Sequence, residues 1–479
     1  MENSSTIRTI PSYPSIPEKF ILSVHLLSQS TIPRWSVGIR YNGFNPMKAP
    51  FYQIHSKTPE KRKAILVGVQ RPQSGPMSQP ISLDELKGLA TTANYHPVAE
   101  LSQKLSTVNP KTFLGSGKVE ELQRAVEQHQ PEAVIFDAEL SPGQNRNLEN
   151  IFKCRVIDRS WLILEIFNDH ANTREAKTQV ELARLKYALP RLTRMWGHLS
   201  RQRGGIGLRD VGETQIQLDR RLIRNEITKL ERKLKGIDKE KKTQRKSRKG
   251  LYRVALVGYT NVGKSTLMNR LTGSDTLVED KLFATLDATI RKIKKNFPYP
   301  VLLADTVGLI DKLPHDLVAS FKSTLDEVSE ADLLIKLVDF SHPNYKQQME
   351  TVDAVLSELE SHEIDSLLVF NKTDQIADSE VLANAHQLNP QAVFISCRTG
   401  DGIDRLQKEI VRRYENRLTP YTLELDYSQA SRIADIRKQA ILVKEDYQED
   451  RIVLSLKLPP EGKARLAKLL LQKKSRAAL

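Results

Sequence analysis

The stretch that most constrains this chain is the octet Gly258 to Ser265, Gly-Tyr-Thr-Asn-Val-Gly-Lys-Ser, set between the apolar run Tyr252 to Val257 and a helix-compatible stretch, Thr266 to Leu271. It fits the pattern G-x-x-x-x-G-K-[ST]. A strand, a glycine-bearing loop and a helix in that order predict a cradle of inward-pointing backbone N–H groups, reinforced by the positive potential of a helix N-terminus. Gly258, Tyr259, Thr260, Asn261, Val262, Gly263, Lys264 and Ser265 are therefore read as the phosphate-binding set, with Lys264 reaching the outer phosphates and Ser265 facing a metal ion. A flexible Gly-rich turn would look the same in isolation, so the remaining parts of a nucleotide site have to follow at workable spacing.

They do. The apolar strand Val301 to Ala304 delivers Asp305-Thr306-Val307-Gly308, its aspartate 40 residues beyond Ser265. A carboxylate at the end of a neighbouring buried strand is where a P-loop enzyme holds Mg²⁺ through water, and Gly308 lets a backbone N–H approach the terminal phosphate. Leu367 to Phe370 then runs into Asn371-Lys372-Thr373-Asp374. An aspartate there accepts two hydrogen bonds from the N1–H and 2-amino group of guanine, whereas adenine would leave the carboxylate unpaired. The strand Ala392 to Ile395 ends in Ser396-Cys397-Arg398, placed to present backbone N–H groups to the guanine O6. Between the P-loop and Asp305 lies Phe283-Ala284-Thr285-Leu286-Asp287, in which Thr285 is a candidate second metal-facing hydroxyl; Thr289 competes for that role.

The chain has 479 residues, enough for about three to four domains. No apolar run approaches the roughly 20 residues that cross a bilayer. Cys154 and Cys397 are far apart and outside any metal-ligand pattern, so a reducing compartment suffices. A net charge of +15 favours polyanionic partners.

Residues 1–57, rich in Ser, Thr and Pro, are expected to be a poorly ordered extension; an organelle-targeting segment is the less favoured reading because Arg is sparse and Pro clusters interrupt any amphipathic helix. Over 58–172 the strands Ala64 to Val69, Ala133 to Phe136 and Cys154 to Ile157 alternate with helical stretches around Leu83 to Thr92, Val119 to Gln128 and Gln144 to Phe152, predicting an N-terminal α/β domain with a largely parallel sheet. Gly115-Ser116-Gly117-Lys118 within it could hold an anion, but reads better as a strand-to-helix turn. Over 173–249 the strands stop. Val180, Leu182, Leu185, Tyr187 and Leu189 form one helical pattern, and Ile216, Ile223, Ile227, Leu230, Leu234 and Ile237 form a coiled-coil-like seam, predicting an α-helical hairpin. Its intervening loop and flanks carry Arg191, Arg194, Trp196, His198, Arg201, Gln202, Arg203 and Arg209, a set suited to structured RNA. Between Lys229 and Lys249, eleven Lys or Arg face three acids, a basic linker able to track phosphates. Residues 250–418 form the P-loop domain, and 419–479 a small C-terminal α/β domain with strands Tyr421 to Leu425, Ile441 to Lys444 and Ile452 to Leu456 and helices Ala430 to Gln439 and Pro460 to Leu471.

With these elements in fixed order the chain resembles translational-type P-loop GTPases. Gly-Tyr-Thr-Asn-Val-Gly-Lys-Ser-Thr, Phe-Ala-Thr-Leu-Asp and Asp-Thr-Val-Gly-Leu look like the HflX family. Phe136 to Gln144, the pair Asp158-Arg159, Gly212 to Gln215 and Leu218 to Arg221 are similar to that family's N-terminal and helical regions. The resemblance covers about residues 60 to 479. It implies a GTPase that uses Mg²⁺, binds the large ribosomal subunit and its RNA, places its helical loop near the peptidyl-transferase centre and splits or rescues stalled ribosomes under stress. It also implies a monomeric, cytoplasmic protein, with peripheral membrane association left open, and identifies Phe283 to Asp287 as the switch element, favouring Thr285. Two departures stand out: Asp210-Val211-Gly212-Glu213-Thr214 replaces Gly-Pro-Gly-Glu-Thr, and Ala288 stands where proline is common.

Lys264, Thr285 and Gly308 are the expected catalytic set. Leu309 follows Gly308, where Ras-like enzymes carry a water-orienting glutamine, so unaided hydrolysis is expected to be slow and to depend on a partner. A GTP-switched ribosome assembly factor is the competing expectation.

Overall fold

The structure, a computed structural model, describes residues 62–70, 83–194, 208–246, 251–274, 281–293, 297–311, 322–359, 363–437, 440–460, 462–464 and 466–467. The extension over 1–57, the loop residues Trp196, His198, Arg201, Gln202 and Arg203, the basic run from Ser247 to Lys249 and most of the helix expected over Pro460 to Leu471 lie outside the described residues, as do the side chains of Arg194 and Arg209.

The N-terminal region builds β1 (Arg62–Gln70), α1 (Asp84–Thr92), β2 (Tyr95–Lys104), α2 (Ser116–His129), β3 (Ala133–Phe136), α3 (Pro142–Phe152), β4 (Arg155–Asp158) and α4 (Arg159–His170). Its strands form a parallel sheet in the order β2-β1-β3-β4. β3 is buried at every position, as a parallel strand covered on both faces requires. Helix α4 is buried from Arg159 to Phe167 because it is wedged between its own sheet and the P-loop region. A helix buried all round has neighbours on every side, and its buried charges are paired, Arg159 with Glu85 and Glu165 with Arg155. The Gly115 to Lys118 turn opens α2; the Gly115 N–H donates to Gln103, and Lys118 pairs with Glu121 at 2.7 Å.

The hairpin follows as α5 (Arg174–Ala188) and α6 (Leu208–Lys246), α5 being prolonged by a 3-10 turn through Leu189–Arg194. The predicted seam closes on itself: Leu182, Leu185, Leu192, Ile223 and Leu230 form one buried cluster, with Ile227 and Leu234 packed against it. One residue departs from expectation. Arg191 does not face a partner; it is 5% exposed, donates to Asp158 at 3.2 Å and to the Leu140 carbonyl at 2.8 Å, and stacks on Tyr187. A buried guanidinium needs a carboxylate, and Asp158 supplies it.

The P-loop region comprises β5 (Tyr252–Gly258), α7 (Lys264–Thr272), β6 (Thr289–Lys292), β7 (Val301–Asp305), α8 (Lys322–Ser329), β8 (Leu333–Asp339), α9 (Tyr345–Glu358), β9 (Ser366–Asn371), α10 (Ser379–Leu388), β10 (Val393–Phe394) and α11 (Ile403–Asn416). The sheet runs β10-β9-β8-β5-β7-β6, parallel except for the edge strand β6. From β5 the chain builds β6 and β7 on one side and then crosses to β8 on the other, so the crevice beyond the carboxyl end of β5 is a topological switch point, where open α/β sheets bind ligands.

The last region is an antiparallel sheet, β11 (Thr419–Asp426), β12 (Ile441–Tyr447) and β13 (Arg451–Leu458), in the order β11-β13-β12. The helix expected over Ala430 to Gln439 is a 3-10 turn, Tyr427–Arg432, followed by the short α12 (Ile433–Ile436). Among the described residues no helix is long and apolar enough to cross a membrane, and no group of three or more His, Cys, Asp or Glu could hold a metal ion.

Candidate functional site

The octet forms the turn between β5 and α7. Asn261 sits at φ 60° and Gly263 at φ 97°, both left-handed. Asparagine tolerates that region. At Gly263 a side chain is also excluded by space, because a Cβ would lie 2.5 Å from the Asn371 amide nitrogen. Lys264 folds back across the loop, donating to the carbonyls of Tyr259 at 2.7 Å and Gly258 at 3.2 Å. It is 6% exposed, and burial lowers its ammonium to about 8 against the opposing pull of Asp305.

Three oxygens converge beside it. The Ser265 hydroxyl donates to Asp305 at 2.7 Å and lies 2.8 Å from that of Thr285, which itself donates to the same Asp305 oxygen at 3.2 Å. Thr289, the competing hydroxyl, instead begins β6, opposite Asp305 in the ladder. The other Asp305 oxygen is buried without a hydrogen-bond partner, and burial raises this carboxyl despite Lys264 nearby. Two hydroxyls and a carboxylate with an unsatisfied oxygen make a donor set for a small hard cation. Gly308 completes this end: a Cβ there would lie 2.9 Å from Thr260 Cα and 3.2 Å from the Lys264 nitrogen. Thr306 is turned inward, donating to the Leu256 carbonyl at 2.6 Å, and Val307 is buried.

At the other end Asn371 is a buried brace. Its amide donates to the Val262 carbonyl at 2.8 Å, and its oxygen accepts the Cys397 N–H at 2.9 Å, joining the phosphate loop to the segment after β10. Lys372 is held at φ 63° and pairs with Asp339 at 2.7 Å. Thr373 donates to the Ile395 carbonyl at 3.0 Å. Asp374 is exposed, with one oxygen accepting the Ser396 hydroxyl at 2.7 Å. Cys397 is buried and its thiol pushed up to about 12, chiefly by that burial, which leaves it unreactive. The Arg398 side chain is exposed, while the carbonyls of Cys397 and Arg398 accept from Arg270 of α7.

Family models described as "GTP-binding GTPase N-terminal", "GTP-binding GTPase Middle Region" and "50S ribosome-binding GTPase" match residues 81–168, 170–248 and 253–372. The GTPase HflX of Escherichia coli is 41% identical over 410 residues, covering 85% of this chain and 96% of that protein. The chain belongs to the HflX GTPases. The GTPase HflX of Flavobacterium psychrophilum is 50% identical over 322 residues, 67% of this chain and 78% of its own length. Among solved structures, a GTP-binding protein from the archaeon Sulfolobus solfataricus in complex with GDP is 24% identical, covering 73% of this chain and 98% of that one, at a TM-score of 0.41. As an HflX GTPase the protein binds GTP and hydrolyses it.

Of the expected switch stretch only Thr285 reaches the oxygen cluster. Phe283, at φ 58°, packs edge-on against Phe167 of α4 at 4.7 Å, and Leu286 is core. Ala284 is exposed, and Asp287 turns away to the hairpin, accepting the Thr173 hydroxyl at 2.5 Å and its N–H at 3.1 Å. Sequence reasoning missed this contact, as it missed Glu85 and the contact of Arg159 with Asp311, which hold Tyr259 and the residue after Ile310. No local pattern signals pairs separated by 114, 174 or 152 residues. The pair Asp158-Arg159 stood out in the sequence only through family resemblance. A cavity of about 370 Å³ lined by Val338, Met349, Val352 and Leu368 shares Tyr259 and Val262 with the loop but none of Lys264, Ser265, Asp305 or Asp374.

Proposed function

We propose that this HflX GTPase works on the large ribosomal subunit, contacting its RNA through the hairpin and splitting or rescuing stalled ribosomes, with GTP hydrolysis triggered by that contact. The observation that carries the reading is the buried Leu309. It is 3% exposed and bound through its backbone to the phosphate loop, its N–H donating to the Gly258 carbonyl and its carbonyl accepting from the Thr260 N–H. The residue after Gly308 thus faces the core and cannot orient water, so the chain's own described residues supply charge stabilisation without a positioned nucleophile. A net charge of +15 and the match of residues 253–372 to a family described as "50S ribosome-binding GTPase" support the partner.

In this reading the backbone of Gly258 to Gly263 cradles the phosphates and Lys264 releases the two carbonyls it now holds to bind the outer ones. Ser265 and Thr285 would hold Mg²⁺ directly and Asp305 through water; the ion supplies neutralisation of phosphate charge. The Gly308 N–H faces the terminal phosphate. Asp374 accepts from the guanine edge, while Ser396 keeps it oriented and the segment Ser396 to Arg398 offers N–H groups to O6. Residues 58–172, 173–249, 250–418 and 419–479 are the corresponding domains, acting in a cytoplasmic, monomeric protein. The test is GTP turnover with and without purified large subunits; equal rates would remove the partner. Sedimentation of intact ribosomes mixed with the protein and a non-hydrolysable GTP analogue then reads splitting as free subunits; an assembly factor would leave the ribosomes whole.

A further inference from the structure

Arg159, the first residue of α4, lies outside the nucleotide cradle, yet its 4% exposed side chain spans two parts of the molecule. It donates to Glu85 of α1 and to Asp137 within the N-terminal region, and to the carbonyl of Asp311 at 2.9 Å in the P-loop region. The Tyr259 hydroxyl closes the circuit: it donates to Glu85 and accepts the Asp311 N–H at 2.8 Å. Both the carbonyl and the N–H of Asp311 are therefore taken by this network. Asp311 stands three residues beyond Gly308, and the intervening backbone is already tied to the loop at Leu309.

The geometry points to Arg159 as a positioning residue for GTP hydrolysis, one that holds the backbone from Asp305 to Asp311 in register with the phosphate loop from outside the P-loop region. The physical case is one of preorganisation. Only a terminal phosphate engages this backbone, whereas the diphosphate is held by the loop itself. A protein in which Asp311 is already fixed does not have to order it when GTP arrives, so the network lowers the cost of binding GTP and leaves GDP untouched. A planar guanidinium suits the task because its fork reaches two carboxylates and a carbonyl at once; lysine offers one point charge. Burial and the neighbouring Glu85 raise the Tyr259 hydroxyl well above its ordinary value, which keeps it a donor across the working pH range.

The inference rests on the assignment of Lys264, Asp305 and Gly308 to the phosphates, and the experiment keeps the two apart. Arg159→Gln is expected to weaken a non-hydrolysable GTP analogue about ten-fold while GDP affinity stays within about two-fold, and to lower kcat. Arg159→Lys should recover part of both losses. Because removal of a buried cation can unfold the chain, Glu85→Gln, on the 31% exposed rim of the network, serves as the second variant and should show the same selective loss at about three-fold. An unchanged ratio of GTP-analogue to GDP affinity in folded Arg159→Gln or Glu85→Gln overturns the proposal, as does an equal loss of both nucleotides. Lys264→Ala is the separate control: if it keeps both nucleotides, the phosphate assignment itself is wrong.

Discussion

Asp287, two residues beyond Thr285, accepts both the hydroxyl and the backbone N–H of Thr173, the residue that caps helix α5. The stretch carrying the Thr285 hydroxyl, which meets Ser265 and Asp305, is thereby fastened to the first turn of the hairpin. If ordering around the terminal phosphate is passed on through this contact, amide exchange in that turn should be slower with a GTP analogue than with GDP. In Asp287→Ala the difference should shrink by roughly five-fold, corresponding to about 1 kcal/mol for a partly exposed hydrogen bond to a carboxylate. Exchange that responds to nucleotide alike in both proteins would show that the contact transmits nothing.

If Asp374 is the acceptor for the guanine edge, as proposed, Asp374→Asn replaces it by an amide that donates there. We expect GDP affinity to fall by about a hundred-fold, since hydrogen bonds to a charged group contribute about 1.5–3 kcal/mol each, and xanthosine diphosphate to bind better than GDP. Competition binding with the two nucleotides measures the reversal.

Asn371 braces the Val262 carbonyl and the Cys397 N–H, both buried. Asn371→Ala leaves two backbone groups unsatisfied, a loss of about 2–4 kcal/mol in stability. Melting of the nucleotide-free protein should reveal it, together with weaker binding of GTP and GDP in equal measure.

Burial lowers Lys264 to about 8, below its ordinary 10.5. Between those values the unfolded chain carries more protons on this residue than the native one, so its contribution makes stability rise with pH there. Bound phosphates favour the ammonium. Nucleotide binding should therefore take up a proton above about pH 8, and affinity should fall as pH rises through that window. Calorimetry in two buffers of different ionisation enthalpy measures the uptake, and Lys264→Met should abolish it.

Leu309→Gln introduces the residue that Ras-like enzymes carry after this glycine, into a position facing the core. The amide would be buried, destabilising the protein by about 1–3 kcal/mol. Unstimulated kcat should not rise. A faster variant would mean that the side chain can swing toward the phosphates.

The parts of the site that lie within a few residues of one another were legible in the sequence. The loop from Gly258 to Ser265, Asp305 to Gly308 and Asn371 to Asp374 each match a residue pattern at short spacing, and the structure places each at the end of a strand. Ser265, Thr285 and Asp305 meeting was an expectation from order along the chain, and the coordinates bring their oxygens within 3.2 Å. Long-range partners were not legible. Glu85 is an ordinary acidic residue in a first helical turn, Thr173 an ordinary cap, and Arg191 looked like part of an RNA-facing cluster until Asp158 accounted for it. Strand β2, with Pro97 inside it and mixed polarity, lacks the apolar run that marked β3 and β5, and the edge strand β6 is too short and polar to stand out. Tertiary pairing, not local preference, makes both.

Helix α6 lies antiparallel to α5, Lys241 meeting Glu175 near the start of α5 and Glu231 meeting Lys186 near its end. From Lys241 to Leu208 it extends about 50 Å at a rise of 1.5 Å per residue, far past the last residue of α5. It is a long lever whose fulcrum stands beside Thr173. A tilt of about 5° at the fulcrum would sweep the far tip through roughly 4 Å, so a shift at Asp287 that reached Thr173 would be several times larger at the tip than at its source.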